Sequence, residues 1–257
     1  MTAAAPFLAI EQVSRRFGGV LAVDGVDIAL GRGELLGIIG PNGAGKTTLF
    51  NLISGFVRPS SGRIRFRGRR TDRLGPHRIA RLGISRTFQN LRVFPNLTVF
   101  DNVSAGAIGA CGFPAWCALL PGAGGARGRE IGARTWAALE RVQLAGRAQA
   151  LAASLPYGQR KYLEIARALA THPALLILDE PAAGLNETET AALAAFILAL
   201  HREGTTVMLV EHDMGLVMGT CQRVVVLAAG RKIADGTPAA VRADPAVQAA
   251  YLGTEGA

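Results

Sequence analysis

The first part of the chain reads as short apolar runs of strand length. They are Phe7 to Val13 (FLAIEQV), Val23 to Leu30 (VDGVDIAL) and Glu34 to Gly40 (ELLGIIG), with turn glycines between them. A glycine-rich loop follows, then a helical run from Lys46 to Ser54. Gly62 to Gly68 (GRIRFRG) alternates apolar with cationic side chains, the pattern of a half-exposed strand. Pro76 and Gly83 bracket a short helix, after which ISRTFQ reads as extended. From Asn96 to Ser154 the pattern becomes alanine-rich helix, opened by Thr98 and Asp101 at capping-box spacing and expected to form a separate helical subdomain. Beyond it, ALLILD, a helix from Glu187 to Arg202, TTVMLVE and RVVVLAAG alternate strand with helix. That alternation predicts an α/β fold with a mainly parallel sheet covered by helices.

Composition narrows the class without choosing a function. With 257 residues and 49% hydrophobic content the chain can bury a substantial core, which argues against disorder. Its net charge of +9 is carried almost entirely by arginine, because Lys46, Lys161 and Lys232 are the only lysines. Such a charge suits a solvated basic surface, an anionic membrane surface, acidic partner loops or nucleic acid. Cys111, Cys117 and Cys221 have neither an even count nor a paired metal-ligand spacing, so a reducing compartment is expected. The long uncharged stretch from Asn102 to Ala126 carries Pro114, Pro121 and six glycines. A spanning helix needs about 20 apolar residues without such breaks. The chain is therefore expected to be soluble, with any membrane role exerted through partners.

The candidate chemistry begins at Gly40 to Thr48 (GPNGAGKTT), which fits G-x-x-x-x-G-K-[ST] between a predicted strand and a predicted helix. Gly40, Gly43 and Gly45, with Pro41, Asn42 and Ala44, let the backbone turn its N–H groups and the helix N-terminus toward a polyphosphate. Lys46 would neutralise the β- and γ-phosphates and the Thr47 hydroxyl would ligate magnesium, with Thr48 beside it. Such a loop alone fits a kinase, GTPase, helicase or transporter ATPase. The run ALLILDEP adds Asp179, able to hold magnesium through water, and Glu180, able to polarise an attacking water. Ahead of it, Leu155 to Gln159 (LPYGQ) reads as a glycine-containing turn before a strong helix, a ready phosphate site. After it, Asn186 is expected to cap a helix with Glu189 three residues on. His212 falls just past the buried run TTVMLVE, at the expected sheet edge.

Taken in order, the P-loop, Gln89 in FQN, LPYGQ, ALLILDEP, AAGLN and His212 resemble the nucleotide-binding domain of ABC transporters over nearly the whole chain. The resemblance implies a P-loop NTPase with a mainly parallel core sheet, an N-terminal antiparallel β subdomain and an inserted helical subdomain. On that pattern residues 1–257 form one nucleotide-binding domain, with the core at 1–95 and 156–257 and the helical subdomain at 96–155. It implies ATP and Mg2+ as ligands, with Glu180, His212 and Gln89 catalytic and Thr47, Gln89 and Asp179 around the metal. Phe17 in RRFGG stands where the family places a ring on adenine, with a core phenylalanine as the alternative. Leu155, Pro156, Tyr157, Gly158 and Gln159 would face the ATP held by a partner's P-loop in a head-to-tail dimer. Phe88, Leu91, Phe94 and Leu97 would serve as permease anchors or as subdomain core.

Further details resemble the branched-chain (hydrophobic) amino acid importer branch, LivG-type. These are RRFGGVLAVDGVD, SRTFQNLRVFPNLTVFDNV, the tyrosine of LPYGQ, DEPAAGLN, VEHDMGLVM and DPAVQAAYLG. The branch implies a second ATPase subunit, two permeases and an external solute-binding protein, at the cytoplasmic face of the cell membrane. Related solutes such as urea, amides and aromatic acids stay open, as does a nucleic-acid-associated ABC ATPase. The latter is disfavoured because the chain has one cassette and no long coiled-coil insertion. A non-hydrolytic subunit is disfavoured by intact Lys46, Asp179, Glu180 and His212. The signature departs from the usual Leu-Ser-Gly-Gly-Gln at Pro156 and Tyr157, so two chemically unequal ATP sites are expected.

Overall fold

The structure is a computed structural model that describes residues 5–111 and 125–252. Cys117, Pro114 and Pro121 of the uncharged stretch lie outside the described residues. In chain order the elements are β1 (Leu8–Phe17), β2 (Val20–Leu30), β3 (Leu35–Ile39), α1 (Lys46–Ile53), β4 (Ser61–Phe66) and β5 (Arg69–Arg70). Then come α2 (Pro76–Arg81), β6 (Ile84–Arg86), α3 (Val99–Cys111), α4 (Ala126–Arg141), α5 (Tyr157–Leu169) and β7 (Leu175–Asp179). The last are α6 (Glu187–Arg202), β8 (Thr206–Val210), α7 (Met214–Thr220), β9 (Arg223–Ala228), β10 (Arg231–Gly236), α8 (Pro238–Ala243) and α9 (Pro245–Leu252). The chain divides into two compact units, residues 1–79 with 190–257, and residues 80–189.

The first unit holds an antiparallel sheet in which β1 lies between β2 and β4, running from Leu8 opposite Leu30 to Phe17 opposite Val20. Leu8, Ile10 and Val13 of β1 and Ile64 and Phe66 of β4 are buried, while Arg63 is exposed. The alternating run GRIRFRG thus turns one face to the core, as its pattern requires. Phe7 meets Phe66 edge-on at 5.0 Å. In the same unit β3 pairs in parallel with β8 and β9, and β10 returns antiparallel on β9. Every residue of β3 and β8 is buried, which is why their sequences are unbroken apolar runs rather than alternations.

The turn from β9 to β10 braces the P-loop. Gly230 donates its N–H to the Ala44 carbonyl at 3.1 Å and accepts from the Asp24 N–H at 2.8 Å. An ion pair between Arg231 and Asp24 at 2.7 Å closes the same corner. The strand β10 was not legible in the apolar pattern, because its residues are only half-buried.

In the second unit β6 pairs in parallel with β7, and α3, α4 and α5 pack together. ISRTFQ is shorter as a strand than its pattern suggests, ending at Arg86. Thr98 precedes α3, accepts from the Asp101 N–H at 3.0 Å and donates to Asp101 Oδ2 at 2.6 Å, the predicted helix start. Fully buried Asn102 ties the preceding loop down: its amide donates to the Phe94 and Thr98 carbonyls, and its oxygen accepts from the Phe94 N–H. Among the described residues no helix is long and apolar enough to cross a membrane.

Candidate functional site

The P-loop joins buried β3 to α1. Gly45 stands at the N-cap of α1 with φ 99°, and a Cβ there would lie 2.4 Å from the Ala22 carbonyl oxygen, so only glycine fits. With no capping side chain and no acidic residue in the first turn, the leading N–H groups of α1 have no side-chain cap to satisfy them. Lys46 is buried to 8% exposure and its ammonium donates to the carbonyls of Gly40 at 2.5 Å and Pro41 at 3.0 Å, curling along the loop. Asn42, Gly43 and Thr47 are exposed, Pro41 and Thr48 half-buried, and Ala44 is buried beneath them. The first unit therefore gathers the uncapped start of α1 and the Lys46 ammonium at one loop.

Two other expected residues belong to this unit. Phe17 is 43% exposed at the end of β1, with the Arg15 guanidinium 4.4 Å from its ring centroid, so it is not a core phenylalanine. His212 follows β8 with an exposed side chain, its Nδ1 3.8 Å from Oε2 of fully buried Glu211. Asp213, beside it, caps α7 by accepting from the Leu216 N–H at 3.1 Å, a role the sequence reading passed over.

The second unit brings together Gln89 and Glu180. Gln89 Nε2 donates to Glu180 Oε2 at 2.7 Å, although the two are far apart in sequence. Glu180 leaves β7 with φ 48°, a left-handed conformation that side-chain-bearing residues seldom adopt. Asp179, the last residue of β7, is 4% exposed, and its N–H donates to Thr87 Oγ1 at 3.2 Å. Its carboxylate accepts from Arg86 Nη2 at 2.6 Å. Sequence reasoning missed this arginine; its one signal was a cation inside the otherwise uncharged run ISRTF.

The segment LPYGQ differs from its expected form. It was read as a turn through Gln159, yet α5 begins at Tyr157, so Gly158 and Gln159 are already helical and only Leu155 and Pro156 precede the helix. Pro156 supplies the fixed φ, −53°, that suits a helix start, and it offers no side-chain cap. The Tyr157 hydroxyl donates to the Ala183 carbonyl at 3.3 Å, and its ring lies over Gly184. Asn186 and Glu189 cap α6 reciprocally, at 2.9 and 3.0 Å, as their spacing predicts. Glu164 on α5 accepts from the Phe88 N–H at 3.2 Å, and burial pushes its carboxyl above the ordinary range.

Residues 23–183 match the ABC transporter family. The chain belongs to that family. Residues 231–257 of the cassette also match the C-terminal region of the branched-chain amino acid ATP-binding cassette transporters. The cassette is 43% identical over 252 residues to the high-affinity branched-chain amino acid transport ATP-binding protein LivG of Salmonella typhimurium, covering 96% of this chain and 98% of that one. It is 44% identical over 253 residues to BraF of Pseudomonas aeruginosa, a protein of the same description, with the same coverage. Among solved structures, the ADP conformation of an ABC transporter cassette superposes with a TM-score of 0.84 at 30% identity, over 96% of this chain and 98% of that one. This ABC cassette is an ATPase with the α/β fold of its family.

Proposed function

We propose that this cassette binds and hydrolyses ATP to energise uptake of branched-chain or other hydrophobic amino acids. The observation that carries the chemistry is the 2.7 Å bond from Gln89 to the Glu180 carboxylate. It fixes the orientation of the carboxylate read as the proton acceptor. Full-length likeness to LivG and BraF supports the solute class.

In this reading the P-loop from Gly40 to Thr48 grips the polyphosphate with its N–H groups, and Lys46 exchanges its carbonyl partners for phosphate oxygens. Phe17 lends an exposed ring face to adenine. The family resemblance assigns magnesium to Thr47, Gln89 and Asp179, each of which carries the hard oxygen type that the ion prefers, and Asp179 would have to share its carboxylate with Arg86. Magnesium held there would neutralise the charge that develops on the phosphate. Glu180 accepts a proton from the attacking water as the oxygen bonds to the γ-phosphorus and the bond to the β-bridging oxygen breaks. His212 steadies the γ-phosphate.

A second ATPase subunit completes the enzyme, each ATP lying between one subunit's P-loop and the other's Leu155 to Gln159. Pro156 lacks a hydroxyl and an N–H, so the two ATP sites are unequal. Residues 96–155 act as the helical subdomain that passes motion to two permease subunits at the cytoplasmic face of the membrane. A solute-binding protein delivers the amino acid outside.

The test is purification of the tagged chain from its own membranes, followed by reconstitution in vesicles. Two permeases and a second cassette should accompany it, and leucine should be taken up with ATP inside, with urea excluded. Copurification with nucleic acid, or uptake of urea but not leucine, contradicts the reading.

A further inference from the structure

The helix α5 carries three charged residues at helical spacing, Lys161, Glu164 and Arg167, and all three turn inward. Lys161 and Glu164 are each 3% exposed. Arg167 donates to the Arg92 carbonyl, and Glu164 accepts from the Phe88 N–H at 3.2 Å, so the pair holds the backbone on both sides of Gln89. Lys161 reaches elsewhere: its ammonium donates to the Glu180 carbonyl at 3.3 Å and lies 5.8 Å from the centroid of the Tyr157 ring. One helix face thus holds the backbone of both members of the Gln89–Glu180 pair.

Burying a lysine is expensive unless its charge is used. Here the use is local and specific. Glu180 has a left-handed φ of 48°, a conformation that persists only when its surroundings hold it. Its side chain is tied to Gln89 and its carbonyl to Lys161. Burial pushes the carboxyl of Glu164, one turn along α5, above the ordinary range, and the charges of Arg167 and Lys161 oppose that rise.

We infer that Lys161 is a positioning residue for ATP hydrolysis, locking the strained Glu180 backbone so that its carboxylate is held ready for the water. This rests on the reading of Glu180 as the proton acceptor. Lys161 stands one turn beyond Tyr157, in the same helix whose first residues are proposed to face the partner's ATP. A shift of α5 on engaging that ATP moves the anchor of the carboxylate serving this subunit's own ATP.

The experiment measures kcat and KM for ATP with the purified complex of this chain and its partner cassette, the partner's own ATP site inactivated, in Lys161→Met, Lys161→Arg, Glu180→Gln and the double variant Lys161→Met/Glu180→Gln. Lys161→Met should lower kcat about tenfold or more, as expected for loss of a charge-assisted hydrogen bond, with KM changed less than about twofold. Lys161→Arg should recover most of the rate. In the Glu180→Gln background the further loss should vanish, because the two residues act as one unit. If Lys161→Met does not fold, Lys161→Gln is read by the same criteria. Unchanged kcat, a rise in KM alone, or an equal loss in the Glu180→Gln background overturns the inference while leaving the role of Glu180 intact. Full activity of Glu180→Gln by itself overturns both.

Discussion

Arg86 and Asp179 form an ion pair, Nη2 to Oδ2 at 2.6 Å, with side-chain exposures of 5% and 6%. A buried pair of this kind is weak evidence for net stability, but breaking it is costly. Arg86→Met leaves the Asp179 carboxylate without its guanidinium and should destabilise the chain by about 3–5 kcal/mol. Urea denaturation of Arg86→Met, Asp179→Asn and the double variant should give a double variant less destabilised than the sum of the singles. Strict additivity would mean that the two groups do not interact energetically.

The reciprocal cap at Asn186 and Glu189 should be worth about 1 kcal/mol to α6. Asn186→Ala should lower the melting midpoint accordingly, and Asn186→Asp, which keeps an acceptor, should restore it. The check is a thermal melt of the three chains at equal concentration.

Asp235 accepts from Arg223 Nε at 2.6 Å and Nη2 at 2.9 Å, and from Lys232 at 2.9 Å. Burial opposes its ionisation, but these cations outweigh it and hold the carboxyl below the ordinary range. A lowered folded pKa contributes stability that is present above the ordinary carboxylate range and lost as pH falls through the lowered value. Asp235→Asn should therefore lose about 1 kcal/mol at neutral pH and show a shallower acid limb. Stability measured between neutral and strongly acidic pH decides this; identical acid limbs would exclude the linkage.

Pro156→Ser restores a hydroxyl and an N–H at the start of α5. It should tighten ATP-driven dimerisation by about one to two decades through a charge-assisted hydrogen bond. The readout is the ATP concentration for half-maximal dimerisation, in a Glu180→Gln background that preserves the complex.

What was legible in the sequence was mostly local. The P-loop and the caps at Thr98 and Asn186 depend on residues within a few positions of one another, so spacing alone exposes them. The buried strands β3, β7 and β8 announce themselves as unbroken apolar runs. Arg86 was not legible, because its partner lies 93 positions away, and Lys161 reads as an ordinary helix cation until its partner 19 positions on is known. The start of α5 was placed too late because glycine in LPYGQ signals a turn, whereas Gly158 is a helical position packed against Glu189, where a Cβ would lie 2.7 Å from Oε1.

The most direct test of the account is single-turnover hydrolysis of magnesium ATP by the purified complex of this chain and its partner cassette, the partner's own ATP site inactivated, comparing wild type with Glu180→Gln at saturating nucleotide. The account predicts ATP still bound, with the rate of γ-phosphate release lowered by at least about a hundredfold, the usual contribution of a positioned base. Equal rates in the two proteins would contradict it.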